Sequence, residues 1–213
     1  MTKITERGMI FNGEMVRSLL DGRKTQTRRI VKGTDGAVKF CKEWNINGEE
    51  VFVVLGEKDH TGMNPVLGAI SCPFGAVGDR IWVREAFRVH SRATDVATLV
   101  YKASERNSWT EQTRRVPVAV CNKPATPEKW TPSLHMPRWA SRILLEITGV
   151  RVERLRSMSQ DDARAEGVIA ASGPMEAGLA FRELWDSIYG EESWKANPWV
   201  WVIEFKRVEG GAA

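Results

Sequence analysis

The chain has 213 residues, 42% of them hydrophobic and 27% charged, and a formal net charge of +4. This is the make-up of an ordinary soluble globular protein with enough chain to bury a core, and it leaves out repeat and low-complexity classes. No apolar run approaches membrane-spanning length and the polar start Met1-Thr2-Lys3-Ile4-Thr5-Glu6-Arg7 is unlike a signal peptide, so a cytoplasmic protein without a membrane partner is expected.

Three cysteines, Cys41, Cys72 and Cys121, lie far apart and form no CxxC pair. That scatter fits reduced thiols. His60, His90 and His135 are equally dispersed, so no metal-ligand spacing arises and neither a metal nor a cofactor is expected. The mild positive charge suits an anionic or nucleic-acid-like partner without requiring one.

In chain order, Arg7–Asn12 reads as a strand, and Glu14–Asp21 as a helix with Met15, Val16, Leu19 and Leu20 on one face. Gly22 supplies the helix stop. Thr25–Val31 reads as a strand, with Thr25, Thr27 and Arg29 on one face and Gln26, Arg28 and Ile30 on the other. From 32 to 77 glycines punctuate a long insertion that is expected to hold one hairpin, in which Val51-Phe52-Val53-Val54-Leu55 looks like a buried strand. Gly78–Glu85 is a turn feeding a strand, and Ala97–Lys102 is another strand. A second insertion, 104–138, is polar and proline-rich, with an edge strand at Val116–Val120.

Arg142–Leu155 is a long strand in which Gly149 marks a bulge or bend. Ser159 caps a short helix with Asp162 at its third position, ending at Glu166-Gly167. Met175–Tyr189 forms a helix whose apolar face carries Leu179, Phe181, Leu184, Trp185 and Ile188, with Gly190 as its stop. Trp199–Lys206 is the last strand. Helices and strands do not alternate, so a doubly wound sheet is disfavoured. A single α+β domain is expected: a small, mostly antiparallel barrel with flanking helices and two long insertions.

The stretch Gly22-Arg23-Lys24-Thr25-Gln26-Thr27-Arg28-Arg29 carries the densest chemistry. One reading is a set of cations after a helix end, followed by a solvated basic strand able to hold phosphates. The other is a lysine–hydroxyl pair, in which a desolvated amine activates an alcohol.

This stretch, with the Gly78-Asp79 turn, the Ala163-Arg164-Ala165-Glu166 helix end and the closing Val202-Ile203-Glu204-Phe205, resembles the ASCH domain of the PUA-like superfamily of small β-barrels. The family signature is GxKxxExR. Gly22, Lys24 and Arg29 fit it, while Thr27 stands in place of the glutamate. In that respect the chain is similar to the N4-acetylcytidine amidohydrolase branch, and its insertions are similar to longer phage and prophage ASCH proteins. The resemblance implies a catalytic set of Lys24, Thr27 and Glu166 acting on a modified cytosine nucleoside. With that set, Thr27 is expected to attack the acyl carbonyl with Lys24 as its base and Glu166 as proton carrier, the alternative being Glu166 as base for a water that Thr27 only positions. Arg29 and Arg23 are expected at the substrate, with Trp82, Trp139 and Trp130 as a stacking wall and His135 as a contact. The set converges only if Lys24 sits in the turn before the strand, because residues three apart on a strand face opposite ways. The rivals are a non-catalytic module binding RNA or single-stranded nucleic acid through the basic edge, and a ribonuclease.

Overall fold

The computed structural model describes residues 4–169 and 176–208. Eleven strands and five α-helices appear among them, which makes the fold α+β. They run β1 (Glu6–Ile10), α1 (Gly13–Leu20), β2 (Gln26–Ile30), β3 (Lys39–Trp44), β4 (Glu50–Leu55), β5 (Val66–Ile70), β6 (Arg80–Arg84), β7 (Phe87–Arg92) and β8 (Val96–Tyr101). Then follow α2 (Trp109–Gln112), β9 (Thr113–Pro117), β10 (Leu144–Arg154), α3 (Gln160–Ala165), α4 (Glu176–Tyr189), α5 (Glu191–Ala196) and β11 (Trp199–Arg207). No helix among the described residues is long and apolar enough to cross a membrane. Strand pairing among them is mostly antiparallel and records no closed barrel.

The chain forms two compact units. One comprises Met1–Gly22, Arg80–Glu146 and Arg207–Ala213. In it β1 pairs parallel with β6, and β6 pairs antiparallel with the first residues of β10. A separate antiparallel sheet, β7-β8-β9, packs Phe87, Val89, Leu99, Tyr101 and Val116 into a core with Met136 and Ala140. Asn12 caps α1 by accepting from the Met15 N–H at 2.9 Å, and Gly22 ends the segment at φ +74°, where only glycine is unstrained.

The other unit comprises Arg23–Asp79 and Ile147–Lys206. Here β11 lies between β10 and β2, and Ile203 is registered with Thr27. Leu155, Ala163, Ala177, Phe181, Trp185, Val200 and Val202 form its core. The capping box expected at Ser159 and Asp162 is present, and Gly167 closes α3 at φ +86°.

Several elements depart from the sequence reading. The 32–77 insertion holds a three-stranded sheet, β3-β4-β5, rather than one hairpin. β7 lies in a stretch with no strand expectation. Its alternation of Phe87 and Val89 with Arg88 and His90 is short and mostly polar outside. β9 comes earlier than Val116–Val120: Val116 is the one fully buried residue of that run, with Val118 packed against the same core. α4 buries Ala177, Phe181 and Trp185, a face at four-residue spacing, and leaves Leu179 and Ile188 exposed. Met175 lies outside the described residues. At Gly149 the strand passes close to its neighbour, since a Cβ there would sit 2.8 Å from the Glu204 carboxylate.

Trp82 lies across Gly8 in the β1–β6 pair, where a Cβ would come 2.5 Å from the indole ring, with the Arg84 guanidinium 5.3 Å from that ring's centroid. Gly8→Ala therefore overpacks this contact. It should destabilise the protein by about 1–3 kcal/mol, read as a lower urea midpoint without loss of slope.

Candidate active site

Lys24, Thr27 and Glu166 all fall in the second unit, and all are buried, at 3%, 0% and 2% exposure. The backbone brings the first and last together. Lys24 and Glu166 form an isolated antiparallel bridge just before β2, and the Thr25 N–H donates to the Ala165 carbonyl at 2.8 Å. Lys24 Nζ then donates to the Glu166 carbonyl oxygen at 2.9 Å and to Glu166 Oε2 at 2.8 Å.

Alternation along β2 decides the rest. Lys24, Gln26 and Arg28 reach toward α3 and its C-cap. Gln26 Nε2 donates to the Asp162 carbonyl at 2.7 Å. Arg28 Nη1 donates to Glu166 Oε1 at 3.0 Å, and its Nη2 donates to Glu153 Oε1 at 2.7 Å. Arg28 Nη2 is also 3.4 Å from Asp162 Oδ1. Thr27 and Arg29 share the other face, and Arg29 Nη1 donates to Thr27 Oγ1 at 2.7 Å. The amine and the alcohol are thus not bonded to each other, for the geometric reason that residues three apart on an extended chain diverge. Arg29 links the two halves electrically, since its charge acts on Lys24 and the charge of Glu166 acts on it.

Glu166 has both oxygens engaged, one by each cation. Arg28 is 1% exposed, so its charge needs compensation inside the protein. Glu166, Glu153 and Asp162 provide it, and Arg151 in turn binds Asp162 at 2.7 Å, Glu153 at 3.2 Å and Glu204. Charges alternate in sign from Lys24 through Glu166, Arg28, the Glu153 and Asp162 carboxylates and Arg151 to Glu204 at the rim.

Burial is the largest influence on Lys24 and lowers its pKa from the ordinary lysine value. Glu166 pulls it back up through charge and hydrogen bonding, while Arg29 and Arg28 push it further down. The hydrogen count agrees. A neutral amine has two N–H groups and Glu166 supplies two acceptors, whereas an ammonium would carry a third N–H with no acceptor among the described residues. Because Arg28 already neutralises Glu166, the amine can give up its charge without stranding the carboxylate. Thr27 Oγ accepts from the Arg29 guanidinium and has no acceptor for its own hydrogen among the described residues.

The other expected site residues are distributed. Arg23 Nη1 donates to the Gly167 carbonyl at 2.6 Å, beside Glu166. Trp82, Trp139, Trp130 and His135 belong to the first unit. Trp82 covers Gly8, Trp139 stands edge-on to Phe87 at 6.3 Å, and Trp130 stacks on Arg88 at 4.5 Å. His135 is exposed in a short 3-10 turn. Sequence reasoning missed Arg28, Glu153, Asp162 and Gln26 as members of the cluster. The face assignment of β2 held the signal for Gln26 and Arg28, but nothing local pointed to Glu153. Among the described residues no three His, Cys, Asp or Glu side chains are grouped as a metal would need. No family model matches the chain, and no curated protein or solved structure matches it either.

Three variants test the charge arrangement. Glu166→Gln leaves Lys24 and Arg28 buried without their shared anion and should cost about 3–5 kcal/mol. Lys24→Met leaves Glu166 still paired with Arg28 and should cost clearly less, as measured by chemical denaturation. Asp162 feels burial, which raises its pKa, but the Ser159 N–H and hydroxyl, Gln26 and Arg28 outweigh it and hold the carboxyl well below the ordinary range. The stability it contributes is therefore whole above the unfolded value of about 3.9 and is lost as pH falls toward the folded value. Asp162→Asn should flatten the decline of stability with acid below about pH 4.

Proposed function

We propose that the chain is an amide hydrolase acting on N4-acylated cytosine nucleosides. The observation that carries the reading is the buried amine of Lys24, bonded twice to Glu166 and short of one acceptor if charged. The substrate class comes from the likeness of Gly22–Arg29 to the ASCH signature, which also carries the expectation of a PUA-like barrel. In this reading Thr27 Oγ attacks the acyl carbonyl carbon and its proton is relayed by a water to the neutral Lys24 amine, since the two groups lie on opposite faces of β2 and are not bonded to each other. The oxyanion is held by Arg29. The proton moves through Glu166 to the departing N4 amine, the C–N bond breaks, and water then releases the acyl group from Thr27 as a carboxylic acid.

A second assignment is favoured by the bond from Arg29 to Thr27. There Lys24 takes its proton from a water that attacks the carbonyl, and the Thr27 hydroxyl donates to the acyl oxygen. The rival of a phosphate-binding edge is weakened because Lys24 and Arg28 are buried and paired with carboxylates. Such cations are not free to release counterions on a nucleic acid.

Incubation with N4-acetylcytidine, followed by ultraviolet absorbance, should show loss of the acyl chromophore. Lys24→Ala should lower the rate by at least about 100-fold, the scale of a lost general base. The wild-type rate should rise with pH to an inflection below the ordinary lysine value, since the deprotonated amine is the active form. Thr27→Ala should abolish a mass increment of one acyl group on the protein if Thr27 is the nucleophile, and no increment should form at all if water attacks directly. Absence of turnover, or cleavage of RNA instead, contradicts the reading.

A further inference from the structure

In the second unit, β4 reads in sequence as a strand buried on both sides, because Val51 to Leu55 is apolar at every position. The fold covers only one side. Phe52 packs on Trp201 with ring centroids 5.0 Å apart, and Phe40 of β3 packs on Trp199 at 4.8 Å. The opposite side carries Val51, Val53 and Leu55, each half-buried, flanked at its centre by Cys41 and Ala69 and at the two ends of β3 by Lys39 and Glu43. Val53 is registered between Cys41 and Ala69, and Leu55 is registered with Val66, which is 67% exposed. An apolar strip along β4 and β5 of this kind, with a charge at each end of β3 beside it, is not what an antiparallel sheet shows to water.

The charges on this face say what covers it. Lys39 is registered with Leu55 at one end and Glu43 with Val51 at the other, each two residues from Cys41. Both are exposed, and neither has an ion-pair partner among the described residues. We infer that this face binds a second copy of the chain, sheet on sheet, about a two-fold axis lying across the strands along the Cys41–Val53–Ala69 row. That operation exchanges the two ends of the face. It places each Lys39 opposite the partner's Glu43, each Val51 opposite the partner's Leu55, and the two Cys41 side chains near the axis. A self-complementary patch with one cation and one anion equidistant from its centre is the form an isologous contact requires. The inference does not depend on the hydrolase reading.

Sedimentation velocity over a range of protein concentrations should show a reversible monomer–dimer equilibrium. Lys39→Glu sets like charges opposite each other and should raise the dimer dissociation constant at least about tenfold. The double variant Lys39→Glu, Glu43→Lys should restore it, which a general loss of folding cannot do. Val53→Asp should give a monomer with an unchanged circular dichroism spectrum. Mild oxidation should cross-link the wild type, and Cys41→Ser but not Cys72→Ser should prevent it. A monomer up to tens of micromolar overturns the inference, as does a dimer indifferent to Val53→Asp or not restored by the charge exchange.

Discussion

Glu166 sits between two buried cations, and the second unit is arranged around that fact. A carboxylate taken out of water is costly unless its lone pairs are filled, and here Lys24 fills one side and Arg28 the other. The pairing requires β2 to run beside the end of α3. The Lys24–Glu166 bridge, the capping box at Ser159 and the left-handed Gly167 set that geometry through the backbone. Arg28 in turn requires Glu153 and Asp162, and these require Arg151. The charge is passed outward until it reaches water at Glu204.

The same arrangement makes the site chemically uneven. Arg28 is a guanidinium and stays charged, so it fixes Glu166 as its anion. Lys24 is the one cation of the pair that can lose its proton, and burial drives it that way. On the other face of β2, Thr27 receives a hydrogen bond from a cation while its own hydrogen is unspent. A buried amine, a hydroxyl that accepts from a guanidinium and a doubly paired carboxylate are thus held within one short strand and one helix end.

Much of this was legible in the sequence, for definite reasons. The strand at Thr25–Val31, the Ser159 cap and the Gly167 stop follow from local chemistry, and each is present. The alternation of β2 was also readable, and it foretold that Lys24 and Thr27 would diverge. The pairing of Arg28 with Glu153 was not readable, because it joins residues 125 apart through tertiary packing alone. The β3-β4-β5 sheet was hidden by glycines that mark turns between its strands. Exposure of Leu179 and Ile188 on α4 was hidden because periodicity shows that a helix has an apolar face but not which part of it finds a neighbour.

The central claim is that the Lys24 amine is poised to lose its proton beside Glu166. A pH titration of the Lys24 side chain by nuclear magnetic resonance, following its Cε signal in the intact protein, reads this directly. The account predicts a midpoint well below that of the surface lysines, moving upward when Arg28 is replaced by methionine and its repulsion is lost. A midpoint at or above the ordinary lysine value would mean that the amine is a permanent partner of the carboxylate, and the site would then be a structural ion pair and nothing more.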